Sequence, residues 1–300
     1  MHLDYTKMHG ILYMLKFPCS GRNFAMNVTH GPARGISERN RRMLTRLHRG
    51  VSGPFTPEDA SRLLSLDIRR ARRFLAYLAD RGWLVRVRRG LYTTVPLDAI
   101  EPGAWREDPW VVASKVFSLF YIGGWTACEH WGLTDQIFRE TVVISGRPFR
   151  HREIEIHGFP FRVKVVREER IFGTEAVWRG RVRVPVSNLT TTVVDVLDDP
   201  AIGGGIRHVA EVLEAYLSHE RRDDSLLLGY AHKLGNRTVF KRLGYLLEAL
   251  GSTEPSLVDA CRIGISSGIS MLDPTATPNG PIVKKWNLRV NVALEKGGAQ

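Results

Sequence analysis

The sequence predicts an α+β protein, with an N-terminal winged helix-turn-helix at residues 36–97 and a mixed α+β domain at residues 110–300. Three short segments with helical spacing come first, and two short alternating segments follow them directly. Farther along, β-rich segments are grouped together instead of alternating with helices, which argues against a parallel βαβ sheet. A length of 300 residues allows two domains of ordinary size.

The remaining segments are predicted to connect or extend these two domains. Residues 1–35 are interpreted as an irregular N-terminal arm, and residues 98–109 as a linker punctuated by Pro and Gly. Residues 252–281 are rich in Ser, Gly, Pro and Thr, which predicts a loop or a loosely packed extension of the second domain.

The first two helices are delimited by capping residues. Ser37 is a good N-cap and Gly50 a good end, so a helix is predicted between them. Thr56 is the N-cap of the second helix, and Pro57 occupies its first position, where the missing N–H costs nothing. Asp59 lies three residues after the cap, as in a capping box.

A third helix is predicted from Asp67, its N-cap, to about Arg81. Its apolar residues recur at the spacing of one helix face: Ile68, Ala71, Leu75 and Leu78. Its arginines fall on the other side or flank it: Arg69, Arg70, Arg72 and Arg73. Four arginines in five positions repel one another unless an anion compensates them. They occupy the first two turns, the part of a recognition helix that meets DNA bases.

A two-stranded hairpin with a basic tip follows this helix. Residues 83–87 alternate, Arg88, Arg89 and Gly90 form a turn, and residues 91–95 return. Three helices and a basic hairpin give the order of a winged helix, whose wing arginines lie against phosphates or in the minor groove.

Individual roles are assigned as a hypothesis. The arginines predicted to contact bases are Arg69, Arg70 and Arg73. Those predicted to contact phosphates are Arg72, Arg88 and Arg89, and the predicted interface also includes Arg41 and Arg86. The alternatives are a solvated helix face, or a winged helix that binds another protein.

The charge distribution supports a polyanionic partner. The net charge is +12, and residues 34–90 contain fifteen arginines against five acidic residues, so ten of the excess charges lie there. Double-stranded DNA is therefore the predicted partner, bound by a monomer or a dimer.

The other composition signals argue against metal, disulfide and membrane chemistry. Cys19, Cys128 and Cys261 are far apart, and none lies at zinc-ligand spacing, so a reducing, cytoplasmic location and no metal or cofactor are predicted. No apolar run approaches the roughly 20 residues of a membrane span.

The second domain is predicted to contain both element types. Its predicted strands are 141–145, 152–157, 161–166 and 182–186. Its predicted helices are 110–120, 125–131, 189–197, 206–220, 226–234 and 238–250. Several arginines on its strands and loops could extend a DNA footprint, face an acidic toxin or tRNA, or simply be a solvated sheet edge.

Several motifs occur in a characteristic order after the wing. They are Tyr121-Ile-Gly-Gly-Trp125, Glu129-His-Trp-Gly-Leu133, Lys241-Arg-Leu-Gly-Tyr-Leu-Leu-Glu248 and Trp286-Asn-Leu-Arg-Val-Asn291. With the wing, they resemble the AbiEi family, the antitoxins of type IV abortive-infection toxin–antitoxin systems. One departure is that Thr190 and Thr191 stand where the family usually has a Glu-Arg pair.

The resemblance implies an antitoxin that represses its own operon by binding inverted repeats through the N-terminal domain. It also implies a C-terminal domain that counters a nucleotidyltransferase-like toxin, with or without touching it. Two alternatives stay open at this point. One is a regulator whose second domain senses a ligand or an unrelated partner, and the other is a nucleic-acid-modifying enzyme targeted by the winged helix.

The sequence offers no convincing catalytic set, so no enzymatic activity is expected. Nucleotidyl transfer needs paired carboxylates to hold metal ions, and no DxD follows Gly123-Gly124. Asp195, Asp198 and Asp199 are interpreted as residues of a helix end. The three glycines at 203–205 lack the Gly-Lys-Ser/Thr ending of a phosphate-binding loop.

Overall fold

The computed structural model describes residues 35–96, 99, 105–251 and 254–294. The predicted arm at residues 1–35 lies outside the described residues except for Gly35. Half of the predicted linker at residues 98–109, namely residues 98 and 100–104, also lies outside them.

The N-terminal domain has the predicted element order. Three helices are followed by an antiparallel hairpin: α1 (Glu38–Gly50), α2 (Pro57–Leu64), α3 (Ile68–Asp80), β1 (Leu84–Arg88) and β2 (Leu91–Thr94). This is the arrangement of a winged helix, with α3 in the place of the recognition helix and the hairpin as the wing.

The helix caps predicted from the sequence are present in the structure. The Thr56 hydroxyl accepts from the Asp59 backbone, and the Asp59 carboxylate accepts from the Thr56 backbone, which completes the capping box. Asp67 accepts a hydrogen bond from the Arg70 backbone N–H at 3.0 Å, so α3 begins where the sequence predicts. Ser65 is left-handed (φ 54°) and reverses the chain between α2 and α3.

A small apolar core holds the three helices against the hairpin. Leu47 of α1, Leu75 and Leu78 of α3, and Leu84 of β1 are fully buried in it. These residues come from three separate elements, so burying them fixes the orientation of α3 relative to the wing.

A mixed sheet forms the first half of the second domain. Within the described residues it has six strands in the order β5-β6-β4-β3-β8-β7. The strands are β3 (Phe120–Ile122), β4 (Thr141–Ser145), β5 (Glu153–Ile156), β6 (Phe159–Val165), β7 (Thr174–Arg179) and β8 (Val182–Ser187). The β4–β6 and β3–β8 pairs are parallel and the others antiparallel. Two helices belong to this half: α4 (Pro109–Val116) and α5 (Gly124–His130).

A helical half follows the sheet. Its helices are α6 (Leu189–Asp198), α7 (Ile206–Leu217), α8 (Asp224–Leu234), α9 (Thr238–Ala249) and α10 (Pro255–Gly264). Three two-residue strands complete it: β9 (Ser270–Met271), β10 (Ile282–Val283) and β11 (Leu288–Arg289). Together with the N-terminal domain, these elements confirm the predicted α+β class.

The structure differs from the sequence interpretation in three places. Residues 252–281, predicted to be loose, contain α10 and β9, and Leu257, Cys261 and Leu272 are buried there. The helix predicted at 110–120 ends at Val116, because the backbone becomes extended at Phe117 and enters β3. Strand β7 was not predicted, because its side chains vary in polarity and only pairing with β8 makes it a strand.

The run at residues 241–248 is the packing centre of the helical half. The buried Arg242 side chain donates hydrogen bonds to the carbonyls of Leu197, Asp198, Met271 and Leu272. It therefore joins the end of α6 to the segment after α10.

The same run also holds the C-terminal segment. Lys241 donates to the carbonyl of Gly268. Gly244 has no side chain, and a Cβ there would come within 2.1 Å of the buried Trp286 ring. Glu248 accepts from the indole N–H of Trp286 at 2.8 Å. These contacts give the family-like motif a structural role.

The wing is packed against the second domain. Val87 and Leu91, on the two strands of the hairpin, are buried in one cluster with Trp110 of α4. The Thr93 hydroxyl also donates to the Glu107 carboxylate at 2.8 Å. These contacts restrict how far the wing can move relative to α4.

Candidate nucleic-acid interface

The exposed face of α3 presents the four predicted arginines to solvent. Arg69, Arg70, Arg72 and Arg73 are all exposed, whereas Ala71 between them is buried. This division follows from the helical period, which places the residues beside Ala71 away from the core.

Two of these arginines are compensated locally. Arg70 Nε lies 3.1 Å from the Asp67 carboxylate, and Arg72 donates to the Glu58 carboxylate at 3.1 Å. Arg69 and Arg73 form no ion pair with any residue that the structure describes. They are therefore the α3 cations most available to an anionic ligand.

The wing adds a second group of cations. Arg86 donates to the Tyr92 hydroxyl at 3.1 Å, and its guanidinium lies 5.4 Å from the centre of that ring. Arg88 and Arg89 are exposed at the tip, where Gly90 adopts a positive φ of 75° to make the turn.

A cleft of about 520 Å³ joins the two groups. Its lining includes Arg72 from α3 and Arg86 and Arg89 from the wing. Arg41 is exposed on α1, and it does not line the cleft; the same is true of Arg69, Arg70, Arg73 and Arg88.

The sequence interpretation missed two residues of this cleft, Glu58 and Tyr92. Glu58 lies fourteen positions before Arg72, and no local spacing pairs a residue of α2 with one of α3. The pKa of the Glu58 carboxyl is lowered, first by a backbone hydrogen bond and then by the hydrogen bond from Arg72. Glu58 is therefore an ionised acid inside a basic cleft.

The Glu58→Gln substitution is expected to tighten DNA binding. It removes a charge that repels phosphate and releases Arg72, so affinity should rise about twofold to fivefold at low salt. Fluorescence anisotropy with a labelled duplex would measure this effect. The exposed Glu129 provides a charge-matched control as Glu129→Gln, and an equal rise in both variants would show a net-charge effect only.

The cations of the second domain are mostly engaged with neighbouring groups. Arg162 pairs with Glu140 and Glu153, and Lys164 pairs with Asp198 at 2.6 Å. The other positions considered from the sequence are Arg147, Arg150, Arg152, Arg167, Arg170, Arg179, Arg181 and Arg183. A continuation of the α3 and wing surface across these residues stays a hypothesis.

The carboxylates considered for catalysis are tied to structural partners. Asp195 is buried within α6 and accepts from the Tyr121 hydroxyl at 3.1 Å. Asp198 pairs with Lys164, and Asp199 accepts from the Ala201 backbone. Among the described residues no cluster of three His, Cys, Asp or Glu side chains could hold a metal ion.

Burial raises the pKa of the Asp195 carboxyl to about 7, against the opposing effect of Lys164. An unfolded aspartate titrates near 3.9, so the folded protein should lose stability as the pH rises from about 4 to about 7. The Asp195→Asn variant lacks this titration. Relative to the parent, it should gain about 1–3 kcal/mol between pH 5 and pH 8 in urea unfolding.

The Asp198→Asn variant is the opposite control, because Asp198 is paired with Lys164. It should be less stable than the parent at neutral pH. Parallel pH profiles for Asp195→Asn and the parent would rule out a buried, titrating Asp195.

The described part of the chain contains no helix both long and apolar enough to cross a membrane. Cys128 and Cys261 are buried free thiols, and burial raises the pKa of Cys261 to about 12. Neither is therefore suited to act as a thiolate nucleophile.

Three helices, a basic hairpin and exposed arginines on the third helix are features of winged helix-turn-helix domains. The comparison with protein families agrees with this assignment. Residues 41–95 match the family model described as transcriptional regulator, AbiEi antitoxin. This match confirms the resemblance to AbiEi antitoxins that the sequence predicts, over residues 41–95.

A solved structure extends the likeness in fold to the second domain. The RV2827C protein from Mycobacterium tuberculosis superimposes with a TM-score of 0.59, over 86% of this chain and 93% of that chain. The sequence identity is 18%, so this comparison establishes the fold alone. No match is found among curated proteins.

Proposed function

We propose that this protein is an autorepressing antitoxin that binds double-stranded DNA upstream of its own operon. The observation that carries the proposal is the pair of exposed, unpaired arginines on α3, Arg69 and Arg73, beside the basic wing. A regulator needs cations that are free to meet DNA, and these side chains need break no ion pair with a described residue to do so.

Helix α3 and the wing would contact different parts of the DNA. Helix α3 would lie in the major groove, with Arg69 and Arg73 toward base edges. Arg88 and Arg89 at the wing tip would contact phosphates and set the register of the helix on the duplex. Arg70 and Arg72 would exchange their carboxylate partners for phosphates or bases.

The second part of the proposal is that the C-terminal domain counteracts a nucleotidyltransferase-like toxin from the same operon. This part rests on the family match at residues 41–95. Co-expression with the neighbouring reading frame would test it. Growth restored by the full chain, but not by an N-terminal fragment, would support a separate antitoxic domain.

The DNA-binding proposal is tested with the full-length protein and its own upstream sequence. The duplex is titrated beside a scrambled duplex of equal length, at two salt concentrations. We expect a preference for the upstream duplex that persists at the higher salt, because base contacts depend less on counterion release than phosphate contacts do. Equal and strongly salt-sensitive binding to both duplexes would contradict the repressor proposal.

A further inference from the structure

The six-stranded sheet has two edges, and they differ chemically. Strands β5 and β7 are the outermost strands, and neither has an outer neighbour among the described residues. An edge strand exposes unpaired N–H and C=O groups, so it is a template for pairing with another chain unless charges or proline block it.

Strand β5 is blocked against pairing with itself. Its sequence alternates Glu153, Ile154, Glu155 and Ile156, and both glutamates are exposed. In an antiparallel pair of two copies centred on Ile154, each Glu153 would lie opposite a Glu155. Like charges placed directly opposite destabilise a sheet, so this edge resists self-association.

Strand β7 can pair with itself without placing like charges opposite each other. Thr174, Ala176 and Trp178 point to one face, and the Trp178 side chain is 63% exposed. A tryptophan this exposed on an edge strand is unusual, because burying a Trp is among the largest single contributions to an interface.

We propose that β7 pairs antiparallel with β7 of a second copy of this chain, around a two-fold axis at Val177. In this register Glu175 lies opposite Arg179 of the second copy, and the reverse pair forms as well. Ala176 likewise lies opposite Trp178 of the second copy, a small residue facing a large one. Five consecutive residues of the strand are thus self-complementary in charge and in size.

The alternative registers lack this complementarity. Residues opposite each other in a sheet lie on the same face. The two-fold axis must therefore pass through a residue of β7, and the nearest alternatives to Val177 are Ala176 and Trp178. An axis at Ala176 would place Glu175 opposite Val177, and an axis at Trp178 would place Val177 opposite Arg179. Both leave a charged residue facing an apolar one.

The environment of Arg179 supports the same pairing. Its guanidinium lies 3.9 Å from the centre of the Trp110 ring, and its Nε is buried without a hydrogen-bond partner. It forms no ion pair with any residue in the described part of the chain. The carboxylate of Glu175 from a second copy would supply one, while Glu175 keeps its own contact with Arg221 at 2.6 Å.

The proposal is tested in solution without DNA, so its outcome is separate from that of the repressor proposal. Sedimentation velocity of the full chain should show a monomer–dimer equilibrium at concentrations up to about 100 μM, as expected for a small interface. A chain that stays monomeric over this range overturns self-pairing and leaves the β7 edge to a strand of a different protein.

Two exposed substitutions then test the register. Ala176→Trp places two large residues opposite each other, and Trp178→Ala leaves two small ones, so each variant alone should dimerise about tenfold more weakly. A mixture of the two variants restores one small residue opposite one large residue on both sides of the axis. It should therefore form a heterodimer more tightly than either variant forms its homodimer.

A charge version of the mixing test uses Glu175→Arg and Arg179→Glu. Each variant alone places like charges opposite each other, and the mixture restores opposite charges. Glu153→Arg on β5 is the control and should leave dimerisation unchanged. Circular dichroism confirms folding, and mixtures no tighter than the separate variants would overturn the register.

Discussion

The double variant Arg69→Ala/Arg73→Ala is expected to lose most of the preference for the upstream DNA while remaining folded. Each good base contact by arginine contributes about 1–3 kcal/mol of discrimination, so the pair should cost about 2–6 kcal/mol. Both side chains are exposed and neither forms an ion pair with a described residue, so stability should change little. The loss should appear in affinity for the upstream duplex far more than for a scrambled one.

Two controls distinguish the loss of base contacts from the loss of positive charge. Arg237→Ala/Arg262→Ala removes the same charge from exposed positions of the helical half, and it should leave the preference intact. Arg88→Ala at the wing tip should weaken binding to both duplexes alike and reduce the salt dependence. A double α3 variant that weakens both duplexes equally would remove the assignment of base contacts to Arg69 and Arg73.

The Arg242→Met variant is expected to lose about 3–5 kcal/mol of unfolding free energy. Arg242 is buried and donates to four backbone carbonyls, two at the end of α6, one in β9 and one directly after β9. Methionine fills part of the volume but donates nothing, so several buried acceptors lose their partner at about 1–3 kcal/mol each. Partial access of water to the freed carbonyls limits the total.

Urea unfolding followed by circular dichroism would measure this loss. Arg237→Met, at the exposed start of the same helix, is the matched control and should change stability by less than about 0.5 kcal/mol. An Arg242→Met variant as stable as its control would show that the Arg242 hydrogen bonds do not hold residues 266–273 in place. The variant should still bind DNA at urea concentrations at which the N-terminal domain stays folded, because Arg242 lies outside that domain.

The N-terminal domain was predictable because its signals are local. A capping box needs two residues three positions apart, and an exposed helix face repeats every three or four residues. Thr56 with Asp59, and Asp67 at the start of α3, could therefore be read directly. The exposure of Arg69 and Arg73 follows from the same period once Ala71 and Leu75 are assigned to the core.

The parts that were missed depend on contacts between distant segments. Strand β7 has no apolar alternation of its own and becomes a strand by pairing with β8. Helix α10 lies in a stretch rich in small and polar residues, which predicts a loop. Its Leu257 and Cys261 are buried against elements from elsewhere in the chain. Propensity is weak in such segments, so tertiary packing decides their structure.

The sequence by itself determined the class of the N-terminal domain, the helix that carries its arginines and the resemblance to AbiEi antitoxins. All three follow from residue type and short spacing. Only the tertiary structure decided which arginines are free, because Glu58 reaches Arg72 from another helix. It alone also placed Arg242 at the centre of the helical half and left Glu175 and Arg179 on an open sheet edge. These properties depend on distances between residues far apart in the chain, which burial of the core sets and local spacing does not.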